Sequence, residues 1–140
     1  MAASYVKFYQ FVEDLAKGLH HLHAAGDALY VYLTNNTPDQ TNDLIKTDLV
    51  GITEQNGYAA ADIANDISES GGVCTLTAVD VEWTATGAGF GPFRYVVIYN
   101  ETCASPVDPL VCYFDYGSSI SCSVGEKFKV DFGASLFTIT

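Results

Sequence analysis

A chain of 140 residues that is 49% apolar, with mean hydropathy +0.15, can build one packed core and is too apolar for a disordered tail. Seventeen acids against six Lys plus Arg give a formal charge of −11, a field that repels phosphate backbones and argues against nucleic acid as a partner. No apolar run reaches the length of a membrane span, and Glu13, Asp14 and Lys17 interrupt any apolar core of a secretory signal, so synthesis in a cytoplasm with no membrane partner is expected.

The first predicted element is a helix over residues 5–24. Phe8, Phe11, Val12, Leu15, Leu19 and Leu22 recur at helical spacing and form one apolar stripe. Ser4 is the expected N-cap, Gly26 the expected stop, and Gly18 an interior residue that costs about 1 kcal/mol relative to alanine. Strand signals begin at residue 28. Leu29, Val31 and Leu33 alternate with Tyr30 and Tyr32, and Asn35-Asn36-Thr37-Pro38-Asp39 ends the run. Residues 35–72 read as a polar arm. It contains an Asn56-Gly57 turn and an acid-rich stretch, Ala59 to Glu69, expected as a short helix. A long irregular excursion of this kind points to a contact loop.

The second half reads almost entirely as strand. Val79, Val81 and Trp83 share one face and Asp80 and Glu82 the other. Gly87 to Gly91 form a glycine-rich corner that feeds a hairpin of Phe93–Asn100 and Leu110–Tyr116, apolar and aromatic on both faces. Such strands belong in the middle of a packed sandwich or in a subunit interface. Phe128, Val130 and Phe132 alternate with Lys127, Lys129 and Asp131, which marks a strand buried on one side, and Leu136 to Thr140 form a last short strand. No repeat or linker divides the chain. The expectation is a single α+β domain over 1–140, an N-terminal helix packed on an antiparallel β-sandwich or barrel.

Candidate chemistry is sparse. His20 and His23 would share a helix face and could hold a metal, but no third ligand is in view, so a solvated helix end is the simpler reading. Asp62, Asp66 and Glu69 would line one helical face, without calcium-loop spacing. Ser118-Ser119 lie in a Gly-Ser-Ser turn and not in a nucleophile elbow. The glycine corner leads into Pro92 and a strand, so it lacks the helix N-terminus that a phosphate loop needs. No catalytic residue, cofactor or metal is assigned, and the protein is expected not to be an enzyme.

Cys74, Cys103, Cys112 and Cys122 all fall in the β-rich half. A hairpin centred between Val107 and Asp108 would place Cys103 opposite Cys112 at disulfide geometry, leaving Cys74 with Cys122. The alternative is four free buried thiols, which a reducing cytoplasm favours. Tyr30, Tyr32, Tyr95, Tyr99, Tyr113 and Tyr116 sit on predicted strands, where rings suit either subunit contact or an ordinary sheet surface.

Several blocks carry a resemblance, in the same order and through nearly the whole chain. They are Lys7-Phe8-Tyr9-Gln10-Phe11-Val12-Glu13-Asp14-Leu15-Ala16, Leu29 to Pro38, Ile52-Thr53-Glu54 with Asn56-Gly57-Tyr58, Trp83 to Asn100, Phe114 to Ser119, and Gly125 to Phe132. Together they resemble a family of small tailed-bacteriophage structural proteins. The resemblance implies a non-enzymatic capsid decoration or cement protein on the exterior of the virion, often a homotrimer, whose partner is the major capsid protein. The runner-up is a tail or head-fibre component that binds tail proteins or a host-surface glycan. The four cysteines depart from the family's pattern. The expected interface uses Tyr58 in the arm with Phe90, Phe93 and Tyr95 at the strand corner.

Overall fold

Phe8 marks where the chain changes its mode of burial, from a short strand before it to a helix after it. The structure is a computed structural model that describes residues 5–140. β1 (Tyr5–Lys7) runs into α1 (Tyr9–Ala16), and β2 (Leu29–Thr34) follows after an irregular segment. A 3₁₀ turn (Lys46–Asp48) precedes β3 (Ala61–Asp62) and the hairpin of β4 (Asp66–Ser70) and β5 (Val73–Thr77). Then come β6 (Val81–Thr84), β7 (Phe90–Asn100), β8 (Leu110–Cys122), β9 (Lys127–Val130) and β10 (Phe137–Ile139). This is an α+β fold of antiparallel sheets, 44% strand, with one short N-terminal helix packed on them.

The expected helix over 5–24 is shorter than its apolar stripe. Residues 5–7 pair as a strand with Cys112–Phe114 of β8. The helix stops at Ala16 because Gly18 adopts φ +78°, where its N–H reaches the Leu15 carbonyl and the Leu19 N–H reaches that of Asp14. That pair of bonds is a Schellman cap, so Gly18 terminates the helix and Gly26 does not. Ser4 lies outside the described residues. Phe11 and Leu22 are buried, whereas Val12 is half exposed.

Among the described residues three sheets form, in the orders β1-β8-β7-β2-β3, β10-β5-β4 and β6-β9. The long β7–β8 hairpin lies at the centre of the largest, with β2 on its other flank. Alternation sorts that sheet's side chains into two sets. Leu29, Val31, Leu33, Val96, Ile98 and Cys112 face Leu76, Trp83, Phe128, Val130 and Phe137 of the smaller sheets in the main core. Tyr32, Tyr95, Val97, Tyr99 and Leu110 face the other way and pack with Phe8 and Leu49. Both faces of the hairpin are thus covered by residues of the same chain. Each buried large apolar side chain contributes about 1.5–3 kcal/mol.

Residues 35–72 are not a free arm. Leu49 is buried on the tyrosine-bearing face and accepts the Tyr32 hydroxyl at its carbonyl, 2.7 Å. Beyond the two-residue β3, the open edge of β2 is closed by the Tyr58 hydroxyl on the Leu33 N–H and by the Ile52 N–H on the Leu33 carbonyl. The stretch from Ala59 to Glu69 forms β3, a connection and β4 instead of a helix. Asn65 explains this, because its side chain ties the Leu29 N–H to the carbonyls of Leu22 and Asp27 and fixes the backbone locally. The Asn56-Gly57 turn is present, with φ of 54° and 92°. A Cβ on Gly57 would run into the Thr84 carbonyl oxygen.

Candidate functional site: an aromatic cleft beside the β8 bulge

All four expected interface residues lie inside the fold. Tyr58, Phe90, Phe93 and Tyr95 are 3%, 4%, 0% and 6% exposed. Tyr58 stacks edge-on with Trp83, and Phe93 packs edge-on with Phe128 at 4.7 Å between ring centroids. They form core contacts and present no free surface to a partner. The tyrosines expected on strands are there, but Tyr32, Tyr95 and Tyr99 are buried on the covered face.

The Cys103–Cys112 disulfide weighed as possible is not formed, for reasons of register, and the favoured free-thiol alternative is the one present. Cys112 stands opposite Ile98, Leu110 stands opposite Tyr99, and Cys103 lies beyond the ladder, accepting the Asp108 N–H at its carbonyl. All four cysteines are free. Cys112 and Cys122 are buried, and Cys74 and Cys103 are half-buried.

The histidines are not a solvated helix end. His20 is 5% exposed and bonded to Asn100, while His21 and His23 are exposed. Asp62, Asp66 and Glu69 sit on strands and do not line a helical face. No grouping of three or more metal-ligating side chains occurs among the described residues.

What the sequence did not signal is a cleft of about 590 Å³ at one end of the sandwich. Tyr5, Phe114 and Tyr116 line the side of the large sheet, and Phe128 and Phe132 line the other. Its geometry comes from a bulge in β8. Phe93 pairs with Ile120 and Tyr95 with Asp115, so Tyr116–Ser119 are set against the single residue Arg94. Bulges re-aim side chains next to binding sites, and this one carries Tyr116 over Phe128 at 5.8 Å between centroids. Arg94 holds the root of the bulge through Nε to Asp115 Oδ1 at 2.8 Å and Nη2 to Oδ2 at 3.0 Å. The guanidinium lowers the Asp115 carboxyl below the ordinary carboxylate range, and the Gly117 N–H also donates to Asp115. At the top of the bulge the Ser119 hydroxyl donates to Asn35 Oδ1 at 2.9 Å.

The polar groups at the cleft are engaged with one another. Asp80 takes the Lys129 amine at 3.5 Å and the Phe132 N–H at 3.0 Å, and Asp131 accepts the Gly133 N–H. Burial, with a smaller push from Cys112, raises the Tyr5 hydroxyl far above its ordinary value, so it stays a neutral donor. The cleft can stack rings, cover apolar groups and donate single hydrogen bonds from tyrosine. A second, shallower hollow of about 360 Å³ lies over Tyr32, Lys46 and Tyr58. There the Lys46 amine sits 4.7 Å from the Tyr99 ring centroid and 5.3 Å from that of Tyr32.

A signal for the bulge did exist. Gly117-Ser118-Ser119 interrupts an aromatic strand with turn residues, yet Ser121 and Cys122 continue it. Compared with protein-family models, characterised proteins and solved structures, the chain matches none of them. No helix among the described residues is long and apolar enough to cross a membrane.

Proposed function

We propose that this chain is a non-enzymatic virion structural protein that decorates and cements a bacteriophage capsid. It would act as a homotrimer, with the major capsid protein as its partner. The resemblance running through nearly the whole sequence motivates the reading, and the observation that carries it is the aromatic cleft set in an acidic surface. Tyr5, Phe114 and Tyr116 offer the ring-rich, partly wet surface on which protein interfaces concentrate their affinity. Four of the six basic side chains are engaged with the chain's own carboxylates: Lys17 with Glu13, Arg94 with Asp115, Lys127 with Glu82 and Lys129 with Asp80. The acid excess therefore faces outward, and it favours a basic protein partner over a phosphate backbone.

The test is a cryo-EM map of the intact virion, together with binding of purified protein to mature and immature heads. Threefold clusters on the capsid exterior, and Tyr116→Ala protein that folds but binds heads at least about tenfold more weakly, are the expected results. Density confined to the tail or neck would overturn cementing. Absence from the particle would overturn the virion role itself.

The same cleft favours one second reading, a tail or head-fibre component that binds a host-surface glycan. Flat rings stack on sugar faces, and Tyr5 and Tyr116, which line the cleft, add phenol hydroxyls to its rings. Saturation-transfer NMR with host polysaccharide separates the two readings. Transfer from the protein's ring protons to the sugar protons, lost in Tyr116→Ala, supports the glycan.

A further inference from the structure

Asn100, the last residue of β7, is completely buried, and its side chain is bonded on every side. Its Oδ1 accepts the backbone N–H groups of Thr102 and Cys103, both at 3.1 Å. Those two donors fix which end of the amide is oxygen. Its Nδ2 then has two protons to place. One goes to Asp27 Oδ2 at 2.8 Å, and the other goes to His20 Nδ1 at 3.0 Å. A ring nitrogen that accepts a hydrogen bond carries no proton, so His20 is the neutral imidazole with its hydrogen on Nε2. That Nε2 is buried without a partner among the described residues, and the ring packs on Phe11 at 5.0 Å between centroids.

We propose that His20 is a proton-operated latch. As a neutral ring it holds the segment between α1 and β2 against the end of β7, and protonation releases that segment. A proton on Nδ1 would face the Asn100 N–H, donor against donor. The amide cannot turn to accept it, because its oxygen would leave two backbone N–H groups unpaired and would face the Asp27 carboxylate. The ring must therefore leave its site. Asn65, bonded to the Leu22 and Asp27 carbonyls, remains as the tether, so the opening is local.

The ionisable groups acting on the ring are Asp14 from α1, with Asp27 and His21 from its own segment. Burial lowers the proton affinity of His20 below the ordinary value, Asp14 and Asp27 oppose that in part, and His21 adds to it. The released ring binds protons more tightly than the latched one. The latch is therefore fully closed above the ordinary histidine value, near about pH 6.5, and weakens as pH falls toward the lower latched value.

Hydrogen exchange by mass spectrometry at about pH 7.5 and about pH 5.5, corrected for intrinsic exchange, tests this on the full chain. Protection of the 17–28 segment and of the Thr102 and Cys103 amides should fall on acidification, by up to about tenfold per pH unit. His20→Asn keeps an acceptor for Asn100 and cannot titrate, so its protection should not change over that range. Equal pH dependence in both proteins would overturn the latch. If His20→Asn fails to fold, nitrogen NMR of the wild-type imidazole decides. Nδ1 unprotonated and Nε2 protonated at about pH 7.5 is expected, and the opposite tautomer would overturn the proposal.

Discussion

The hydroxyl of Tyr58 accepts the backbone N–H of Leu33 at 2.8 Å, across 25 residues of sequence and inside the core. A side chain thereby replaces the strand that β3 is too short to supply. Tyr58→Phe keeps the ring against Trp83 and Phe90 but leaves a buried N–H unpaired, at a cost of about 1–3 kcal/mol. Tyr58→Ala also opens a cavity and should cost about 3–5 kcal/mol. Urea unfolding of the two variants separates the hydrogen bond from the packing. An undiminished stability in Tyr58→Phe would show that the bond contributes nothing.

Thiol reactivity should divide the cysteines into two pairs. Cys74 and Cys103 are half-buried, while burial raises the Cys112 thiol well above its ordinary value and raises Cys122 as well. A thiol-specific reagent near about pH 8 should label Cys74 and Cys103 in the native protein and reach Cys112 only on unfolding. An oxidised Cys103–Cys112 pair would leave both unlabelled under denaturing, non-reducing conditions.

Lys46 spans the rings of Tyr32 and Tyr99, with its amine 3.5 Å from the Tyr99 hydroxyl. Lys46→Met keeps the aliphatic stem and removes the cation, and should cost about 0.5–2 kcal/mol by thermal or urea unfolding. An unchanged midpoint would mean that the amine is solvated and the stem alone matters.

Acid should act through Asp27 at lower pH than through His20. Burial disfavours the Asp27 charge, but the Asn100 amide, the His21 N–H and the His21 ring together hold its carboxyl below the ordinary range. Its stabilising contribution is present above about pH 4 and is lost as pH falls through the lowered native value. Asp27→Asn should be less stable than wild type at neutral pH by about 1.5–3 kcal/mol, and the gap should narrow below about pH 4. Denaturant midpoints for both proteins across that range give the answer, and a gap independent of pH would remove the carboxylate from the account.

Strand positions were legible because alternation is a local property. Leu29–Leu33, the hairpin and the strand through Phe128 and Val130 all lie where their patterns put them. The helix was misread because a stripe of period 3.6 survives past a left-handed glycine, and only the backbone reports Gly18 as a cap. Tyr58 and Phe93 were misassigned to a surface because two-sided aromatic strands fit an interface and a doubly covered sheet equally well. The cover is a polar-looking segment in which Leu49 and Ile52 stand three residues apart, too short a pattern to mark them as lids. The cleft was hidden for a similar reason, since its rings come from three distant stretches and meet only through the β8 bulge.

The segment that closes the β2 edge also sets a timing problem for folding. Were β2, β7 and β8 to pair before residues 44–60 dock, a sheet bearing Tyr30, Tyr32, Tyr95, Tyr99 and Tyr113 would stand bare beside unpaired Leu33 backbone groups. That species is a ready template for a second chain. Slowing closure by loosening the Leu49 or Ile52 contacts should raise aggregation during refolding far more than it lowers the equilibrium stability of the finished protein.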